Sequence, residues 1–317
     1  MNRRSEHRLA GRVAIVTGAS RGLGKAMAEA FGREGAAVVV AARTEAVWDE
    51  RLPGTIFETA ANINDAGGRA IAVRCDVAIE SDLEALVAAT HAAFGPVDLL
   101  VNNAALTVPG RPGGPAAPRS GMAATAAPVE GADTSTRGAI ADVGGVGSGV
   151  SQSVALAGFL SFPTRGLRRN FDINVFGPYR LMQLVAPDMM AKGSGAIINI
   201  SSGASTMPGE GPYDGGGMNL LGYSSTKVAL ERLTQWVARD LAPHGVAVNA
   251  LLPSTPIESP GVAWLGGFNA DEVATPEPFA EAAIRLAIAD PAVMSGWIAY
   301  HLDILNLDEP RRGPIRA

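Results

Sequence analysis

Short apolar runs alternate along this chain with longer stretches in which apolar positions recur every three or four residues. Residues 12–17, 37–41, 70–74, 98–101, 196–200, 246–251 and 297–300 are runs of small and β-branched apolar residues, too short for helices, and read as strands. Residues 22–34, 56–66, 81–94, 167–192, 224–242 and 279–289 carry the helical period, with a disturbance expected at Gly177-Pro178. Strands and helices that alternate in this way predict a doubly wound α/β domain, with a seven-stranded, mainly parallel sheet and helices on both faces. The alternation breaks twice. Residues 107–158 are Ala, Gly, Pro, Ser and Thr with few large apolar groups, which offers little to offset ordering entropy, so a flexible or irregular surface insertion is expected. A shorter insertion at 207–222, Gly-rich over 208–217, has the same character. No internal repeat is evident, and residues 1–317 read as a single domain with two insertions.

Composition narrows the function classes. The 317 residues hold 26 Lys and Arg against 31 Asp and Glu, a net charge of −5, and no long basic run, which argues against a nucleic-acid or anionic-membrane partner. A small-molecule partner is expected instead. The single cysteine, Cys75, excludes an internal disulfide, and His7, His91, His244 and His301 lack the spacing of metal ligands, so no metal site is expected. The first ten residues lack the apolar core of a secretory signal and no stretch has about 18 uninterrupted apolar residues, so a soluble, cytoplasmic protein is expected.

The candidate chemistry lies at strand ends. Thr17-Gly18-Ala19-Ser20-Arg21-Gly22-Leu23-Gly24 follows the first strand and opens the first helix. Glycines there allow a tight turn and let a pyrophosphate approach free N–H groups at the helix start. The spacing differs from the dinucleotide fingerprint G-x-G-x-x-G, so the turn alone does not decide. Tyr223-Ser224-Ser225-Thr226-Lys227 places a phenol and an ammonium four residues apart, on one helix face. A nearby ammonium favours phenolate, which suits the tyrosine to proton transfer near neutrality.

Together with Asn102-Asn103-Ala104-Ala105, Asn174 and Ser201-Ser202, these motifs resemble the classical short-chain dehydrogenase/reductase family, over residues 12–252 apart from the insertions. Leu52-Pro53-Gly54-Thr55-Ile56 after the second strand is most similar to hydroxysteroid-dehydrogenase-like and citronellol-dehydrogenase-like members. The resemblance implies a Rossmann-type fold and hydride transfer between a nicotinamide and a ketone, aldehyde or secondary alcohol. It makes Tyr223 the catalytic acid/base, and Lys227 the residue that lowers its pKa and holds the nicotinamide ribose. Ser202 would bind the substrate oxygen, with Ser201 the alternative, and Asn174 would hold a water in a proton relay. It assigns cofactor contacts to Gly18, Ser20, Arg21, Gly22, Leu23, Gly24, Arg43, Thr44, Asp76, Val77, Asn103, Ala104, Tyr223, Lys227 and Pro253. It also implies a homodimer or homotetramer. Two departures stand out: Ala105 replaces a usual glycine, and Pro253-Ser254 replaces a usual Pro-Gly.

The second strand ends Ala41-Ala42-Arg43-Thr44 with no carboxylate to accept from a ribose 2′-hydroxyl. Arg43 and Arg21 offer guanidinium groups suited to a 2′-phosphate, so NADP(H) is expected over NAD(H), which stays possible. Met207, Tyr213, Met218, Leu220, Leu221, Val262, Trp264, Leu265 and Phe268 are expected to border the substrate pocket and to favour a bulky apolar carbonyl or alcohol. Two rivals stay open. One is a nucleotide-sugar epimerase or dehydratase, for which the C-terminal stretch is short; the other is a catalytically silent NADP-binding protein.

Overall fold

Seven strands form where the apolar runs predicted them: β1 (Val13–Thr17), β2 (Ala37–Ala42), β3 (Arg69–Arg74), β4 (Leu99–Asn102), β5 (Gly195–Ile200), β6 (Val246–Leu252) and β7 (Ile298–Tyr300). They pair in parallel throughout, in the order β3-β2-β1-β4-β5-β6-β7. The computed structural model describes residues 7–106, 159–212, 220–265 and 270–307. The insertion expected at 107–158 and residues 213–217 of the Gly-rich stretch at 208–217 lie outside the described residues.

Each strand feeds both faces of the sheet because side chains alternate along it. In β1, Ala14 and Val16 join a core with α1 (Gly22–Arg33), α2 (Ile56–Asp65) and α8 (Glu277–Ala287), where Met27, Phe31, Ile63, Phe279 and Trp297 are buried. Ile15 points the other way, into a core with α3 (Glu80–Phe94) and α5 (Gly177–Lys192), built on Leu86, Leu181, Val185 and Met189. α6 (Leu221–Leu241) packs on this second face through Ala238 and Leu241. A reciprocal capping box sets the start of α2, Thr55 Oγ1 accepting from Glu58 N–H while Glu58 Oε2 accepts from Thr55 N–H, both at 3.1 Å.

The disturbance expected at Gly177-Pro178 falls one turn earlier. α4 (Thr164–Phe171) runs into a wide π turn over Asp172–Phe176, and α5 then begins with Pro178 in its first turn. There the missing proline N–H breaks no intrahelical bond of α5. Two short helices, α7 (Pro260–Leu265) and α9 (His301–Leu305), complete the described chain. The strand order reverses between β1 and β4, so a crevice opens at their C-terminal ends, where Gly18 and Asn103 emerge.

Candidate active site

The glycine turn after β1 is locked to the end of β4. Asn103 Nδ2 donates to the carbonyls of Thr17 and Gly18 at 2.9 and 3.2 Å. Thr17 Oγ1 accepts from the Asn103 and Ala104 amides at 3.0 and 3.1 Å. Gly18 has φ +65°, and a Cβ there would sit 2.8 Å from Ala104 Cα; one on Gly24 would sit 2.4 Å from the Gly18 carbonyl oxygen. Both positions therefore require glycine for the chain to pass this closely. α1 starts with no side-chain cap at Arg21 and no acidic residue in its first turn. Its first amides are available to an anion, the helix-start geometry that suits a pyrophosphate.

Beside this turn the guanidinium groups gather. Arg21 Nη2 donates to Thr44 Oγ1 at 3.1 Å, and the buried Arg21 Nε has no hydrogen-bond partner among the described residues. Burial, and then the charge of Arg43, pull the Arg21 guanidinium below its usual pKa, with Asp49 acting the other way. Arg43 lies 3.8 Å from Asp76 and is about half exposed. Asp76 also accepts from Arg169 of α4 at 2.9 Å, a partner the sequence reading did not single out. Burial alone would raise the Asp76 carboxyl, but the Ala78 amide and the Arg169 and Arg43 guanidiniums together hold it below the usual carboxylate range. Ser20 and Val77 are buried beside these groups, and Leu23 packs against the core.

The structure brings the other predicted residues together at the ends of β5 and α6. Tyr223 hydrogen bonds with the Ser202 side chain. Lys227 Nζ lies 5.3 Å from the centre of the Tyr223 ring and donates to the Ile200 carbonyl at 2.7 Å. Burial pushes the Tyr223 phenol up to about 12, with the Ser202 hydrogen bond acting against it. Burial lowers the Lys227 ammonium to about 8, opposed by the charge of Glu231. Of the two adjacent serines, Ser201 turns away and donates to Glu231 Oε1 at 2.7 Å, whereas Ser202 faces the tyrosine and accepts from Ala204 N–H at 3.2 Å. Alternation along the strand separates the pair, which the sequence left open.

Asn174 sits in the π turn, buried, and braces two segments. Its Oδ1 accepts from Leu106 N–H at 2.9 Å and its Nδ2 donates to Thr226 Oγ1 at 3.0 Å. Asn102, in contrast, points to Asn199 at 2.9 Å within the sheet. After β6 comes Pro253, and the next residue, Ser254, is tied to the start of α9: its N–H donates to His301 Nδ1 at 3.0 Å and its Oγ accepts from Leu302 N–H at 3.3 Å. Proximity of His301 to this loop had no sequence signal, since 47 residues separate the partners. Of the apolar residues expected to line the pocket, Tyr213, Met218 and Phe268 lie outside the described residues, and Met207 is exposed just after the Ser202 turn.

A family model described as short chain dehydrogenase matches residues 12–117 and 143–260, the larger part of the chain. The chain belongs to the short-chain dehydrogenase family. It is 30 % identical over 251 residues to 7alpha-hydroxysteroid dehydrogenase of Escherichia coli, covering 78 % of this chain and 71 % of that one. A solved 7alpha-hydroxysteroid dehydrogenase, complexed with NADH and 7-oxo glycochenodeoxycholic acid, superposes with TM-score 0.63 at 27 % identity, covering 95 % of this chain and 96 % of that one. A structure described as an NAD(P)-dependent gluconate 5-dehydrogenase from Beutenbergia cavernae, with bound NADP, gives TM-score 0.66 at 27 % identity over 94 % and 97 %. The protein is thus a short-chain dehydrogenase/reductase that acts on CH–OH and C=O groups, with the Rossmann-like, all-parallel sheet of that family. Among the described residues no helix is long and apolar enough to cross a membrane, and no cluster of His, Cys, Asp and Glu could hold a metal ion.

Proposed function

We propose that this short-chain dehydrogenase/reductase uses NADP(H) to interconvert a bulky, apolar ketone or aldehyde and the corresponding alcohol. The observation that carries the reading is the Tyr223 hydroxyl bonded to Ser202 with the Lys227 ammonium 5.3 Å from its ring. The cradle formed by Gly18, Gly24, Asn103 and the uncapped start of α1 suits a dinucleotide, because the two glycines let the turn pack closely on the end of β4 and leave the amides of the helix start to meet a pyrophosphate. Such a cofactor, when bound, supplies or accepts the hydride. The chain's own residues manage the proton. In reduction Tyr223 gives its phenolic proton to the carbonyl oxygen, Ser202 donates to the same oxygen, and Lys227 stabilises the phenolate left behind. Oxidation runs the same proton back to Tyr223. Asn174 supports a water in the relay: Pro178, four residues on, has no N–H to give the Asn174 carbonyl in an α-helical bond.

NADP(H) over NAD(H) is supported by Arg21 and Arg43, whose mutual repulsion a 2′-phosphate would relieve, and by Thr44 beside them. The specificity constant with NADPH should exceed that with NADH. Arg43→Ala should lower the NADPH value by about tenfold, the worth of one charge-assisted hydrogen bond, and Ala42→Asp should flatten or reverse the preference. Equal constants for the two cofactors in the wild type would refute the assignment. An apolar substrate is supported by the name of the hydroxysteroid relative and by exposed Met207 after Ser202. Kinetics with a matched series of small polar and large apolar carbonyls test it, and a preference for the polar members overturns it. The reading includes a cytoplasmic homodimer or homotetramer, supported by exposed Phe176 at the end of the π turn, Tyr179 on α5, and Val228 and Trp236 on α6.

A further inference from the structure

Helix α6 carries a third ionisable residue in line with Tyr223 and Lys227 that the proposed chemistry leaves unused. Glu231 follows Lys227 by four residues, one turn along the same face, and is 4 % exposed. Ser201, 2 % exposed, holds it through the 2.7 Å bond to Oε1. Lys227, also 2 % exposed, is held by the carbonyl of Ile200, the residue before Ser201. Two charged side chains of α6 are thus moored, one turn apart, to consecutive residues at the end of β5.

An ammonium buried against a carbonyl loses its proton readily unless a countercharge stands near. The neighbouring buried polar residues of α6 have neutral partners. Asn174 of the π turn bonds to Thr226, and Asn199 of β5 bonds to Thr234 of α6 at 2.9 Å. Among the described residues, the titratable groups that act with Lys227 are Tyr223 on its ring side and Glu231 on the other. Burial lowers the ammonium, and the field of Glu231 opposes that fall.

We propose that Glu231, anchored by Ser201, is a positioning residue: a buried countercharge behind Lys227 that keeps the ammonium charged and so acts on Tyr223 through it. The inference rests on the reading of Tyr223 and Lys227 given above, and its first test therefore avoids turnover.

The chain has only three lysines, Lys25, Lys192 and Lys227, so the full-length protein labelled with ¹³C,¹⁵N-lysine shows three side-chain signals. Lys227→Met assigns the one in question. Glu231→Gln, which retains size and can still accept from Ser201, should move the Lys227 midpoint down by about one pH unit or more. Glu231→Asp, which withdraws the charge without deleting it, should move it the same way by less. A Lys227 midpoint unmoved in whichever variant folds overturns the proposal. In alcohol oxidation, kcat/KM of Glu231→Gln should fall on the alkaline side at lower pH than in the wild type. A loss uniform across pH would mark a merely structural role and also overturn it. Absence of any wild-type turnover would count against the proposed reaction, and the lysine titration would still decide the role of Glu231.

Discussion

Tyr223→Phe should lower kcat by about 10²- to 10⁴-fold while leaving dinucleotide affinity close to that of the wild type. The substitution removes one hydroxyl from a partly buried ring at the first turn of α6, and the ring keeps its place against Lys227. What disappears is the hydrogen bond to Ser202 and the phenolic proton that the proposed reduction transfers. Steady-state rates and fluorescence titration with NADPH separate the two effects. A variant at wild-type speed would remove Tyr223 from the chemistry. Lys227→Met should differ in kind, since it deletes the donor to the Ile200 carbonyl and the charge behind the phenol together. It should lose activity and also bind the cofactor more weakly.

Gly24→Ala should have the second largest effect, and it should fall on binding and stability rather than on the proton step. The added methyl would lie 2.4 Å from both the Gly18 carbonyl oxygen and Asn103 Nδ2, far inside contact distance. The first of these is backbone, so it cannot swing aside as a side-chain end would. The turn has to open, which pulls on the bonds from Asn103 to Thr17 and Gly18 and on the link between β1 and β4. Overpacking of this kind costs about 1–3 kcal/mol, visible as a lower Tm. Affinity for NADPH should drop more than tenfold, because the amides of the helix start move relative to one another. Unchanged affinity would show that the turn does not hold the dinucleotide.

The strands and their faces were legible because they depend on short-range pattern. Val13 to Val16 are apolar and, with Thr17, buried on both sides, as a central parallel strand must be. Helix ends were less legible. α6 begins at Leu221, three residues before the expected start at 224, and α1 and α2 each end one residue short of the reading. The termini depend on caps and tertiary contacts more than on periodicity. Pro178 was visible as a helix breaker, but its consequence, a π turn that carries Asn174, depends on where α4 and α5 pack. Cys75 lies just past β3, buried, its thiol pushed up to about 12 by that burial, in keeping with the inert small hydrophobe expected.

The sequence by itself determined the order of strands and helices, the glycine turn and the spacing of Tyr223 and Lys227, since each rests on residues within a few positions of one another. Only the tertiary structure decided which of two serines meets the tyrosine, because strand alternation sends Ser201 to Glu231 and leaves Ser202 at Tyr223. It likewise decided that Arg169 shares Asp76 with Arg43 and that His301 holds the loop after β6. These pairings join residues dozens of positions apart, and a linear pattern carries no record of which side chains the sheet and its crossovers bring face to face.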